Sequence, residues 1–219
     1  MHQLRQWTEK NPLKYIAFYF LIYCTWFFLL ENFRHPVLYI SSALDYKIPF
    51  CQYFVIPYLL WFFFIGGTCA YFYKHSRRDL MNVCRYLFTG MTICLLIYTV
   101  VPTGLHLRGA VTGTDICSRL VSMLYSTDTS TNVCPSIHVF NSIAVTVVIL
   151  QSEFMKNKKV IKLGAVILSF LICLSTMFLK QHSVIDVFWG FALSLVLYPL
   201  SYRSVLAPDP SDTRVTVHL

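Results

Sequence analysis

Charge is scarce in this chain. Asp, Glu, Lys and Arg make up 13% of its 219 residues, where an ordinary soluble domain carries about 25%. Acidic residues are the scarcer sign, 10 against 18 basic, for a net charge of +8. Apolar side chains fill the gap, at 56%, with aromatics alone at 16%. A soluble fold of this length has too little interior to hide so much apolar surface, which argues for a polytopic membrane protein. A basic face with interleaved aromatics is also missing. The Lys and Arg residues stand in short clusters between apolar runs, as topology signals do, so no nucleic-acid partner is expected. None of the eight cysteines forms a C-x-x-C pair. That argues against structural zinc, and most of them lie in apolar runs as small hydrophobes. No internal repeat or second domain is visible.

Runs of about 20 apolar residues predict an all-α, six-helix transmembrane bundle with spans near Leu13–Leu30, Tyr53–Tyr73, Val83–Val101, Pro135–Gln151, Val160–Leu179 and Ser183–Leu200. The first span lacks a small-residue cleavage site and reads as a retained anchor. Lys and Arg concentrate at both termini, in the second-to-third loop and in the fourth-to-fifth loop. By the positive-inside rule both termini are then cytoplasmic. Residues 1–207 form a single membrane domain, and 208–219 read as a flexible cytoplasmic tail. The one long outer loop, Pro102–Cys134, has apolar residues at helical spacing over Thr114–Tyr125, which predicts a short helix at headgroup level. Cys117 and Cys134 share this loop; a disulfide between them and a pair of free thiols both stay open.

The polar residues gather at the predicted outer face. In "CPSIH", Pro135 suits a first helical turn, with Asn132 as a candidate cap. Ser136 and His138 would stand where exposed N–H groups and the helix dipole favour an anion. In "KQHSVID", His182 and Asp186 are four apart and would share one helix face. A carboxylate within the membrane costs roughly 2.5–3.5 kcal/mol at the helix centre, so a partner is needed, and His182 is in place. An aspartate on one imidazole nitrogen fixes the tautomer and leaves the other as a nucleophile. Arg108 in "LHLRGA" offers a planar fork for phosphate, and Lys180 adds a second cation. Two histidines, a carboxylate, a serine and two cations suit a phosphoester. His106 reads as an ordinary loop histidine.

These residues resemble the type 2 phosphatidic acid phosphatase superfamily. "PSIH" is similar to its second signature, Pro-Ser-Gly-His, with Ile137 for the glycine as in the inositol phosphorylceramide synthase-like branch. Ser175, His182 and Asp186 match the spacing of its third signature, with Thr176 where an arginine is expected. Of the first signature only Arg108 fits; Gly109 stands at the proline and Val101 at the lysine. The resemblance implies a membrane lipid phosphatase needing no cofactor and no metal. His182 would form a phosphohistidine, Asp186 would orient it, and His138 would act as acid and then base. Ser136, Arg108 and Lys180 would bind the phosphate, with Lys180 supplying charge lost at Thr176. A phosphorylated lipid is the expected partner, at the extracytoplasmic face of a multi-pass protein of the plasma membrane; no protein partner is inferable. Two alternatives remain: a headgroup phosphotransferase of the synthase-like branch, and a non-catalytic lipid-binding protein.

Overall fold

The computed structural model describes residues 7, 8 and 10–206, with backbone alone from 200 onward. Its helices are α1 (Pro12–Phe33), α2 (Val55–His75), α3 (Arg77–Val100), α4 (Ile116–Thr127), α5 (Ile137–Gln151), α6 (Lys159–Phe178) and α7 (Val184–Leu206). The fold is all-α apart from two-residue strands β1 (Leu38–Tyr39) and β2 (Thr103–Gly104), which pair in parallel. The predicted tail, 208–219, lies outside the described residues.

Four segments are long and apolar enough to cross a membrane: α1, α2 with the 3₁₀ turn before it, α3 and α6. Shorter apolar helices cover Ile137–Gln151 and Val184–Pro199. The chain is a helical membrane protein. Each sequence-read span coincides with one helix, and the differences lie at the ends. α3 starts six residues early because Ser76 caps it, its hydroxyl accepting the Asp79 N–H. α7 runs on to Leu206 with Pro199 inside it, past the expected end at Leu200. The predicted headgroup-level helix is α4, two residues later than read.

α3 and α5 lie in the middle. α3 packs on α1, α2, α5 and α7, and α5 packs on α2, α3, α6 and α7. Burial follows: most of α3 is covered, while α1 leaves Phe18, Leu21, Phe28 and Phe33 exposed. Such faces are stable in lipid, where apolar exposure costs nothing. Packing is tightest at two glycines. A Cβ on Gly90 of α3 would fall 1.9 Å from the Phe140 ring of α5. A Cβ on Gly190 of α7 would meet the Ser136 carbonyl oxygen at 2.7 Å and Val139 Cβ at 3.1 Å. Gly190 thus lets α7 lie directly against the start of α5.

The loops at one end are tied together. β2 joins residues 38–39 to 103–104, and Gly104 bridges to Thr131. Glu31 of α1 accepts hydrogen bonds from Thr129, Thr131 Oγ1 (2.8 Å) and Asn132 Nδ2 (2.8 Å). Tyr98 donates to the Pro135 carbonyl at 2.5 Å. Asn132 therefore fastens the loop to α1 with φ 54° and does not cap α5. His106 stacks on Tyr39, with ring centroids 3.9 Å apart.

Candidate active site

Two helix starts carry the chemistry. Ser136 is the N-cap of α5, its hydroxyl accepting the Val139 N–H at 3.4 Å. His138 follows in the first turn. The second start is built by a reversal. α6 ends at Phe178, and Lys180 takes the left-handed conformation, φ 54°. The Lys180 and Gln181 N–H groups then close on the carbonyls of Met177 and Thr176 at 3.0 and 2.9 Å. This is the closing pattern of a helix C-terminus, with lysine where glycine is usual. Ser183 and Asp186 form a capping box on α7: Asp186 Oδ2 accepts the Ser183 N–H at 2.9 Å, and Ser183 Oγ accepts the Ile185 N–H at 3.2 Å.

α7 begins at Val184, so His182 precedes it and the expected shared helix face is corrected to a cap. The two side chains still meet. His182 Nδ1 lies 3.4 Å from Asp186 Oδ2, within ion-pair reach but outside hydrogen-bond alignment. Asp186 is fully buried. The His138 and His182 rings, from α5 and the α6–α7 turn, have centroids 5.7 Å apart. His138 also packs on Tyr58 and Trp61 of α2, at 4.7 and 4.5 Å. The Ser136 N–H donates to the Asp186 carbonyl at 3.1 Å, joining the two starts directly. Both histidines line a cavity of about 270 Å³ together with Tyr23, Tyr58, Trp61, Asp128, Asn132 and Gln181, among others.

The remaining sequence-read residues surround that cavity without lining it. Ser136 is buried, and its hydroxyl is at the α5 cap. Arg108 donates to the carbonyls of Asp128 (2.6 Å) and Thr129 (3.1 Å) and to Gln181 Oε1, with its guanidinium over the Tyr125 ring. It braces the cavity wall. Lys180 Nζ donates to the carbonyls of Asp45 (2.6 Å) and Ile48 (2.5 Å). The helix ends before Lys180, so Lys180 does not share a helix face with Thr176. Lys180→Ala is expected to cost about 1–3 kcal/mol of stability from the two lost charged hydrogen bonds while leaving KM for a lipid phosphate unchanged. A chemical melt and a kinetic assay check both parts.

Several contributors were not picked out from the sequence. Asp45, 2% exposed, reaches from the α1–α2 loop to the start of α7. Its carboxylate accepts from Ser183 Oγ (2.7 Å) and the Val184 N–H (2.8 Å). Asp128 accepts from Tyr58 at 3.2 Å. Burial lifts the Asp128 carboxyl above the usual carboxylate range, and the Arg108 charge opposes that lift. An acidic residue in an otherwise acid-poor outer loop was the available signal. Cys134 stands beside Asp186, and burial with that neighbouring charge pushes its thiol up to about 12. Both Cys134 and Cys117 are free, as are the other six cysteines, so the disulfide alternative drops out.

Residues 111–208 match the family model of the PAP2 superfamily. Over that stretch, somewhat under half of its length, the chain is similar to the PAP2 superfamily. The matched stretch contains Ser136, His138, Ser175, His182 and Asp186, and starts just past Arg108. No curated protein and no solved structure matches the chain. Proteins of that superfamily are phosphatases or phosphotransferases of lipid phosphates. In this chain the juxtaposition of the histidines depends on Gly190. Gly190→Ala is expected to wedge α7 off α5 and lower turnover on the order of 10²-fold, the effect of about 1 Å of misplacement, with helix content by circular dichroism unchanged.

Proposed function

We propose that this protein cleaves the phosphomonoester or diphosphate of a lipid through a phosphohistidine. The observation that carries the reading is the His138–His182 pair, 5.7 Å apart at two converging helix starts, with buried Asp186 behind His182. With Nδ1 facing Asp186, the Nε2 lone pair of His182 is the one left for phosphorus. It attacks; the P–N bond forms and the bond from phosphorus to the leaving oxygen breaks, while His138 gives that oxygen a proton. His138 then takes a proton from water, the water oxygen attacks phosphorus, and the P–N bond breaks. Backbone N–H groups in the first turn of α5 can meet developing negative charge. No step calls for a metal.

In this reading the six apolar helices all span the membrane, α5 and α7 as the short members, and both termini are cytoplasmic. The histidines then lie at the extracytoplasmic face, and the substrate reaches them sideways from the lipid, its tails remaining among apolar side chains. The direct test is to mix the protein with lipid phosphate, quench in base and map the peptides by mass spectrometry. Phosphate on the peptide carrying His182, and none after His182→Ala, is the expected result. Phosphate on another residue would move the nucleophile.

One observation favours the second reading, transfer of a headgroup to a lipid alcohol. Among the described residues, neither Lys nor Arg lines the cavity of the histidines. A doubly charged monoester gains little from such walls, whereas a diester carries a single charge. Product analysis with and without a long-chain alcohol separates hydrolysis from transfer.

A further inference from the structure

A second cavity, of about 460 Å³, lies between α2 and α6 and shares no lining residue with the cavity of the histidines. It is a groove open to lipid, since Phe63 and Ile161 of its walls are exposed. Its α2 side runs from Leu60 to Tyr71, about 16 Å of helix. None of its described lining residues is charged. Two glycines keep it hollow. A Cβ on Gly67 or Gly164 would meet nothing within 4 Å, unlike Gly90 and Gly190, where a neighbouring helix fills the space. Unfilled walls forfeit dispersion contacts, and in a bilayer a lipid tail is the nearest filler.

One end of the groove carries charge. Lys158 Nζ donates to the hydroxyl of Tyr71, the last α2 residue of the groove. The same ammonium lies over the rings of Tyr71 and Phe154, 5.0 and 4.5 Å from their centroids. An ammonium has three N–H donors, so Lys158 retains donors after serving Tyr71, and the Tyr71 hydroxyl retains its proton. Lys74, exposed, stands one turn beyond Tyr71 on α2. The carboxylates of this end do not compete. Asp79 accepts from Ser76 and Ser152 at 2.7 and 2.6 Å, and Glu153 faces Lys156 at 3.8 Å. We propose that the groove holds one acyl chain of an anionic phospholipid, with the phosphate of its headgroup against Lys158, Tyr71 and Lys74. Apolar contact does not select this lipid, because tails surround the helices in any case. The charge at the groove end selects it, as Lys and Arg near a membrane surface favour anionic headgroups. In the topology of the proposed function this is the cytoplasmic leaflet, across the bilayer from the histidines. The lipid is therefore a bound partner of the fold and not the substrate.

The test is native mass spectrometry of the full chain in detergent, titrated with phosphatidylglycerol and phosphatidylcholine of identical tails. The His182→Ala background is used throughout, so that the proposed nucleophile consumes neither lipid and the result does not depend on turnover. The tightest-bound lipid is expected to be phosphatidylglycerol, by about tenfold in Kd. Gly164→Leu puts a side chain into open space and favours the helix. It is expected to weaken that binding about tenfold or more while the lipid-free melting temperature holds. Gly67→Leu fills the groove from the facing wall and gives the same result should the first variant fold poorly. Lys158→Gln is expected to erase the preference between the two lipids, and Lys158→Arg to restore it. Equal affinity for the two lipids would overturn the proposal. So would a preference that survives both Gly164→Leu and Lys158→Gln, since the anionic lipid would then lie elsewhere. Displacement of phosphatidylglycerol by a sterol, or a dimer that Gly164→Leu breaks, would give the groove to another occupant and end the proposal as well.

Discussion

Replacing His182 by alanine is expected to lower kcat/KM for any lipid substrate on the order of 10³-fold or more, about 4 kcal/mol of transition-state stabilisation. In the proposed phosphohistidine mechanism the reason is covalent. Among the cavity-lining groups, His182 has a ring nitrogen backed by a buried carboxylate, and without it no P–N bond forms. Asp186→Asn should fall short of that loss in turnover yet cost more in stability. Asp186 also accepts the Ser183 N–H in the capping box, and its backbone carbonyl takes the Ser136 N–H. A substitution there disturbs the α7 start as well as the imidazole. His138→Ala should block the leaving-group proton transfer, so a substrate with a highly acidic leaving alcohol would recover much of the lost rate. That recovery separates acid catalysis from a packing role against Tyr58 and Trp61. No recovery with such a substrate would place His138 outside the acid role.

The second large effect is expected at Asp45, which stands some 140 residues from the helix it serves. Asp45→Ala removes a buried acceptor from Ser183 and Val184 and loosens the loop that Lys180 grips. The loss is roughly 2–4 kcal/mol, a helix cap plus orphaned buried donors. A melting temperature lower by roughly 5–10 °C would follow for a chain of this length. Asp45 is a positioning residue, since it touches the residues next to His182 and no reacting atom. Below the new melting temperature, kcat should fall while KM holds, because the lipid cavity keeps its walls but the imidazole loses its fixed place. Asp45→Asn, whose amide oxygen still accepts from Val184, should recover most of kcat. An unchanged kcat in folded Asp45→Ala protein would confine Asp45 to a purely structural role.

Much of this molecule follows from one-dimensional information. Apolar run length sets which segments become helices, since a backbone in hydrocarbon must satisfy its own N–H and C=O groups. That constraint acts locally, so the six apolar runs and the amphipathic stretch that became α4 were readable along the chain. The spacing of His138, His182 and Asp186 was readable too, because caps and short turns act over three or four residues. What spacing could not supply was the conformation: His182 to Asp186 looked like a helical pair, and the chain made a capping box with the histidine outside the helix. Both arrangements put the same two side chains together at the same separation in sequence.

The sequence alone determined the helices, the chemical groups and their order, because hydrogen-bonding within a helix and burial in lipid depend on neighbours in the chain. Only the tertiary structure decided which charges are free to meet a ligand. Arg108 and Lys180 read in the sequence as phosphate-binding cations, and in the structure backbone carbonyls about 20 and about 130 residues away hold them. Asp45, unremarkable in its loop, became the cap of α7. A charged side chain a few ångströms from a carbonyl binds it before it binds anything in solution, and that proximity is a property of the packed loops, invisible in the order of residues.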